Sequence, residues 1–458
     1  VESGSTDTAM TKAEAQEIMN QIRKDKFDLI LPQVMREHNI DMWIQVMRKG
    51  NPDPVSANLG STSGVFIFTD RGEERIERAV FDHSSDLVRE CGAYDIIAEP
   101  EIKIPLTDYP ECRIPLRELY RAGGTEWPGG PKTELDFRFK AVGEFVAKRD
   151  PQRIALNYLE DLGSPIFYEF PRLRSDGISY TDYKLLVKAL GTKYAKRIVS
   201  AEYLITDYLV RPVKSELVLF KKMRKLIEES FKRQFAEIVP GVTKFSDLEG
   251  SRSIVDKNGN RGRDDYVLQK GDLICLQGGC QSGCYLDPEW KFGNLYEVAF
   301  EYGYLSEGDT ELPPKLKKAW ADALKVRKII EDNVKAGRTA GETFEILKRK
   351  IEEAGFIYVN RQIYNKDLDL EKTQVPLDMH AAGAGIYAPR IGPLGPDWQR
   401  DMILPLNHHF YLEYWVYVPM PEWGEGKYLS LQFHDGAIAT ESGVEYFYPP
   451  PLEIHLIK

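Results

Sequence analysis

The run from His408 to Pro449 constrains this chain more than any other. It reads as three successive strands, HHFYLEYWVYV, KYLSLQFHDGAIAT and GVEYFYP. Alternation along the first puts Glu413 on one face with His409, Tyr411 and Trp415. In the second, His434 shares a face with Gln432, and in the earlier segment ICLQGG Gln277 shares one with Cys275. A lone carboxylate among aromatic side chains near the middle of a sheet costs free energy unless it is paired or bound to a metal. These strands therefore predict a buried polar site as well as a sheet.

The segments before them have a definite order. Pro212 stops what precedes it, and Ser215 reads as the cap of an amphipathic helix running to Ile238. Strand-like KGDLICLQGG and the turn-rich GCYLDPEW follow. Two helices come next, KLKKAWADALKVRKIIEDNVKAG and AGETFEILKRKIEEAG, each closed by glycine. Upstream lies a different pattern. A helical stretch from Thr11, with Ile18, Ile22, Leu29 and Val34 near helical spacing, is expected to break at Pro32. The pieces MWIQVM, GVFIFTD and RIERAVFD then read as strands, TELDFRFKAVGEFVAKRD as a helix and RIALNYL as a strand. Mixed helix and short strand imply an α/β layer domain.

With 458 residues the chain exceeds one ordinary core. The expected division is a disordered tail at 1–11, an N-terminal domain at 12–208 and a second domain at 209–458. A net charge of −10 argues against nucleic acid as partner, because phosphate binding needs a basic face. No apolar run is long enough to span a membrane. Cys91, Cys112, Cys275, Cys280 and Cys284 are too few and too scattered for a disulfide scaffold, their odd number leaves at least one unpaired thiol or an intermolecular bridge, and Cys280 and Cys284 read as ordinary thiols. The polar start VESGSTDTAM fits a mature chain after signal removal, so export to the periplasm or outside is the expectation and the cytoplasm the alternative.

Six short motifs in order carry a family resemblance over the C-terminal half. They are RPVKSELVLFKKMRK, KGDLICLQGG, GCYLD, MHAAGAGIYAPRIGP, NHHFYLEYWVYV and LQFHDGAIATESGVEYF. Together they resemble the pita-bread domain of the methionine aminopeptidase, prolidase and creatinase superfamily, nearest the Xaa-Pro aminopeptidase, prolidase and creatinase branch. IDMWIQVMRKGN resembles that branch's smaller N-terminal domain. The resemblance implies an α/β N-terminal creatinase-like domain followed by an α+β pita-bread catalytic domain, and a homodimer.

The resemblance also implies a metal site, here altered. Family members hold two divalent ions with two Asp, one His and two Glu. Those positions fall on Gln277, Asp287, His380, Glu413 and His434. One Asp has become Gln, the last Glu has become His434, and the Arg two residues before it reads Gln432. Two carboxylates and two neutral imidazoles balance one dication, whereas a second would leave uncompensated charge in a site of low dielectric. One divalent ion per chain, zinc, iron or manganese, is expected on Asp287, His380, Glu413 and His434. Glu289 is a further oxygen donor in reach if its segment is extended. Gln277 reads as a hydrogen-bonding filler of the vacated position. His408 and His409 read as turn or strand edge.

The family's two substrate-handling His positions fall near Asp265 and on Tyr387. Tyr387 is a candidate proton or hydrogen-bond donor, Arg390 a candidate clamp for a substrate carboxylate, and Glu413 the candidate general base. Gln277 and Gln432 complete the expected substrate-facing polar set. The implied activity is that of a metallopeptidase-like hydrolase cleaving a C–N bond in a small polar or peptide-like molecule. A metal-free creatinase-like hydrolase or lyase, and an inactive binding module, are the alternatives.

Overall fold

The computed structural model describes residues 12–48, 53, 55–81, 85–98, 139–160, 177–281, 296–308, 311–360, 363–381, 388–395 and 397–458. The expected tail at 1–11 and all of GCYLDPEW lie outside them. The chain divides into two compact units, one from residues between 27 and 204, the other from residues up to 26 and from 205 onward. No helix among the described residues is long and apolar enough to cross a membrane.

The first helical stretch is not broken at Pro32. Helix α1 (Lys12–Asp25) passes into a π-turn at Lys26–Ile30, and α2 (Leu31–Glu37) starts with Pro32 in its first turn. Proline is tolerated there because a first-turn amide has no intrahelical partner to lose. The π-turn shifts the phase of the stripe, so Leu29 is 55% exposed while Leu31 and Val34 are buried.

The N-terminal unit is built on a six-stranded sheet. Its strands are β1 (Met42–Met47), β2 (Gly64–Thr69), β3 (Glu77–Phe81), β4 (Ile96–Ile97), β5 (Ile154–Leu156) and β6 (Ile198–Ser200), in the order β4-β3-β2-β1-β5-β6. β1, β2 and β5 are buried along their whole length, which their unbroken apolar runs require. Helices α3 (Lys140–Arg149) and α4 (Tyr180–Ala195) supply Val142, Phe145, Leu186 and Leu190 to the same core as Ile44 and Ile154.

The C-terminal unit opens with α5 (Lys214–Glu237). Ser215 is not its cap. The Ser215 hydroxyl donates to Asp25 at 2.7 Å, and Glu216 turns back to accept from the Val213 amide at 2.9 Å. Behind α5 stands a four-stranded sheet, β17-β9-β8-β7, made of β7 (Ser251–Val255), β8 (Leu273–Gln281), β9 (Tyr296–Leu305) and the last strand, β17 (His455–Ile457). The helix seats closely because β8 carries Gly278, where a Cβ would fall 2.3 Å from Ile227.

A second sheet holds β10 (Ile357–Tyr358), β11 (Gln374–Val375), β12 (Met379–Ala381), β13 (Arg390–Ile391), β14 (His409–Pro419), β15 (Tyr428–Ala439) and β16 (Val444–Tyr446). β14 lies at its centre. β11 and β12 run along one edge of β14 in turn, and β15 pairs along the other. Helices α6 (Pro314–Asn333) and α7 (Ala340–Glu353) share one core with Leu412, Tyr414 and Val416. Arg327 of α6 donates to the Tyr414 hydroxyl at 3.4 Å. At the start of α7, Thr339 and Glu342 cap each other reciprocally, an arrangement worth about 1 kcal/mol.

Candidate metal centre

Three adjacent strands bring the site together. On β14 and β15, Glu413 pairs directly with His434. On β12, His380 pairs with Tyr411 of β14. Residues opposite each other in an antiparallel pair share a face. His380, Tyr411, Glu413 and His434 therefore project to one side of the sheet.

Their ligand atoms converge. One atom each from His380, Glu413 and His434 lies within 4.8 Å of the others, and His380 Nε2 is 3.5 Å from Glu413 Oε2. Tyr411 packs against both imidazoles, its ring 4.2 Å from that of His434 and 5.8 Å from that of His380. Phe300 of β9 closes another side, with its ring 5.5 Å from that of His434.

The electrostatics suit a cation. Burial pushes the His434 pKa down to about 4, although Glu413 pulls the other way. The ring is thus a neutral imidazole near neutral pH, the form that binds metals, and its Nδ1 is buried with no hydrogen-bond partner. Burial works to raise the pKa of Glu413. The His380 hydrogen bond and the two nearby imidazoles more than offset it, and the carboxylate is held below its ordinary range. An ionised carboxylate and two imidazoles within 4.8 Å of one another are a donor set used by zinc and non-haem iron sites, so the described residues fit an ion.

Gln432 holds the carboxylate in place. Its Nε2 donates to Glu413 Oε1 at 3.3 Å, and its Oε1 accepts from Arg252 Nη2 at 3.2 Å. Its main chain meets the Tyr302 hydroxyl, 2.6 Å from the amide nitrogen. Gln432 was expected to face substrate, and here it supports Glu413.

The other expected residues fare differently. Asp287, Glu289 and Tyr387 lie outside the described residues. Asp265 is exposed in a turn and takes no part in the cluster. Arg390 does not offer a free clamp. It donates to both oxygens of Asp378, each at 2.7 Å, so its fork is already filled. Gln277 pairs with Phe300 across β8 and β9 and is half-buried, its amide donating to the Gly250 carbonyl at 2.7 Å. His408 follows a turn and His409 opens β14, as expected of a turn and strand end. Both are buried, and burial drives the His408 pKa down to about 4. His408 Nδ1 lies 3.1 Å from the Val210 carbonyl, and His409 Nε2 lies 3.7 Å from the buried Glu297. Of the cysteines, Cys91 and Cys275 are buried free thiols, and Cys112 and Cys284 lie outside the described residues.

Arg252 and Phe300 were not anticipated. No periodicity marks them, because only the pairing of β7, β8 and β9 brings them toward His434.

No family model matches the chain, and no curated protein matches it in sequence. Solved structures do match. The X-Pro aminopeptidase from Thermotoga maritima MSB8 aligns over 93% of this chain and 100% of its own, with a TM-score of 0.55 and 14% identity. The chain has the pita-bread fold. An Xaa-Pro dipeptidase from Bacillus anthracis aligns over 97% of this chain and 100% of its own, with a TM-score of 0.50 and 14% identity. At this identity the likeness is one of fold. It bears out the expected architecture, an α/β domain followed by a pita-bread domain.

Proposed function

We propose that His380, Glu413 and His434 hold one divalent ion, zinc, iron or manganese, and that the chain hydrolyses a C–N bond in a small polar or peptide-like molecule. The observation that carries this is the convergence of one ligand atom each from His380, Glu413 and His434 to within 4.8 Å of one another. Asp287 remains the proposed fourth ligand, since Glu413 alone leaves a dication one charge short of balance. The fold shared with an X-Pro aminopeptidase and an Xaa-Pro dipeptidase agrees with a hydrolase of peptide-like bonds. A homodimer belongs to the same reading.

An ion bound there supplies Lewis acidity and an acidified water. The chain's own residues do the rest. Glu413 is ionised and, held by Gln432 through Oε1, keeps Oε2 turned toward His380, where it can accept a proton. Phe300 and Tyr411 wall the imidazoles with aromatic rings, which lowers the local dielectric and strengthens every polar contact inside.

Elemental analysis of natively purified protein, beside hydrolysis assays on a panel of dipeptides and small amides, tests the proposal. About one ion per chain and activity abolished by chelation are expected. A metal-free protein whose activity is unchanged by chelators would show instead that the His380–Glu413 pair, 3.5 Å apart, works as an acid–base dyad without metal.

A further inference from the structure

Arg252 is the exposed end of a polar line that begins at the buried cluster. It stands on β7, and its guanidinium lies over the Phe300 ring, 5.8 Å from the centroid. One nitrogen, Nη2, donates to Gln432, and Gln432 in turn donates to Glu413. One side-chain amide thus separates a fixed positive charge from the candidate metal ligand.

Three largely buried arginines of this unit are already engaged. Arg224 meets Glu228 and Asp435, Arg327 meets Tyr414 and the Pro451 carbonyl, and Arg390 meets Asp378. Arg252 pairs with no carboxylate among the described residues. A guanidinium has five N–H donors in a planar fork, so its bond to Gln432 leaves most of them free. The Phe300 ring beneath it limits the directions the fork can take.

We propose that Arg252 is the carboxylate anchor of this site, the role that Arg390 cannot fill. The substrate class is then an acid whose carboxylate lies a few bonds from the bond that is cleaved, such as a short peptide with a free C-terminus. A reacting carbonyl placed at His380, Glu413 and His434 extends past Gln432 toward Arg252, where two parallel N–H bonds match a carboxylate. This rests on the metal reading given above, because the cluster fixes the other end of the substrate.

The test uses zinc-loaded full-length protein and two probes, acetohydroxamate and the mono-hydroxamate of succinic acid, which adds one carboxylate. Titration calorimetry should find the second bound about ten- to a hundred-fold more tightly, the worth of a charge-assisted pair. That advantage should vanish in Arg252→Ala and return in part in Arg252→Lys. Equal affinity of the two probes for the wild type, or an advantage that survives Arg252→Ala, overturns the assignment. So does an Arg252→Ala variant that weakens both probes by the same factor, which would make Arg252 only a prop for Gln432. Zinc uptake without a carboxylate advantage overturns this inference alone, whereas failure to take up zinc overturns the metal reading along with it.

Discussion

Glu413 and His434 face each other as direct partners on neighbouring antiparallel strands. One register therefore places both. A slip of a single residue would send either side chain to the opposite face, into the apolar core shared with α6 and α7. His380 joins them from the other edge of β14, through its pairing with Tyr411.

Metal uptake should depend on each of the three. His380→Ala, Glu413→Ala and His434→Ala are each expected to bring zinc content from about one per chain to near zero after dialysis, with the fold intact by circular dichroism. Full retention of zinc in all three variants would remove the site.

Gln432 acts one step out. Gln432→Ala leaves Glu413 Oε1 without its donor, and loss of such outer contacts costs about 10–100-fold in metal affinity. Competition against a zinc chelator measures this. An unchanged affinity would show that Gln432 does not position Glu413.

The Arg390–Asp378 pair predicts a stability effect rather than a substrate effect. Both side chains are largely buried, with 12% and 4% exposure, and the pairing is two-pronged. Arg390→Ala removes both prongs from a buried carboxylate and should cost about 3–5 kcal/mol, read from the shift in denaturant midpoint. A variant as stable as the wild type but weaker in substrate affinity would restore the clamp role.

Glu297 predicts a pH dependence. Burial, foremost, raises its pKa to about 8; Arg224 opposes this, and Asp435 and Glu228 add to it. His409 faces it from β14, held neutral by its own burial. In the unfolded chain the carboxyl titrates near 4.5. Between those values the native state keeps a proton that the unfolded state has lost, so stability falls as pH rises through this window and levels off above it. Glu297→Gln cannot ionise. The difference in denaturant midpoint between about pH 5 and about pH 9 should shrink, leaving the part due to Glu301, which burial also raises to about 8. An undiminished difference would assign the slope elsewhere.

The sequence made the strands and ligand face readable because they rest on short-range periodicity. The alternation of HHFYLEYWV placed Glu413 correctly with Tyr411, and the order of motifs led to the fold. What escaped was set by contacts distant in sequence. Arg390 looked free until Asp378 was seen beside it. Ser215 had the composition of a cap, yet Asp25 takes its hydroxyl and Glu216 supplies the cap. Pro32 looked like a breaker, but the π-turn before it absorbs the change of phase. Arg252 and Phe300 emerge only from the register between β7, β8 and β9.

The pairing of β14 with β15 runs unbroken from His409↔Ile438 to Pro419↔Tyr428, and Glu413↔His434 sits in its middle. Strand ends fray first, and interior pairs open only with the whole sheet. The amides flanking Glu413 and His434 should therefore be among the last in the chain to exchange with deuterium. The ligand geometry would then persist through every partial opening short of global unfolding.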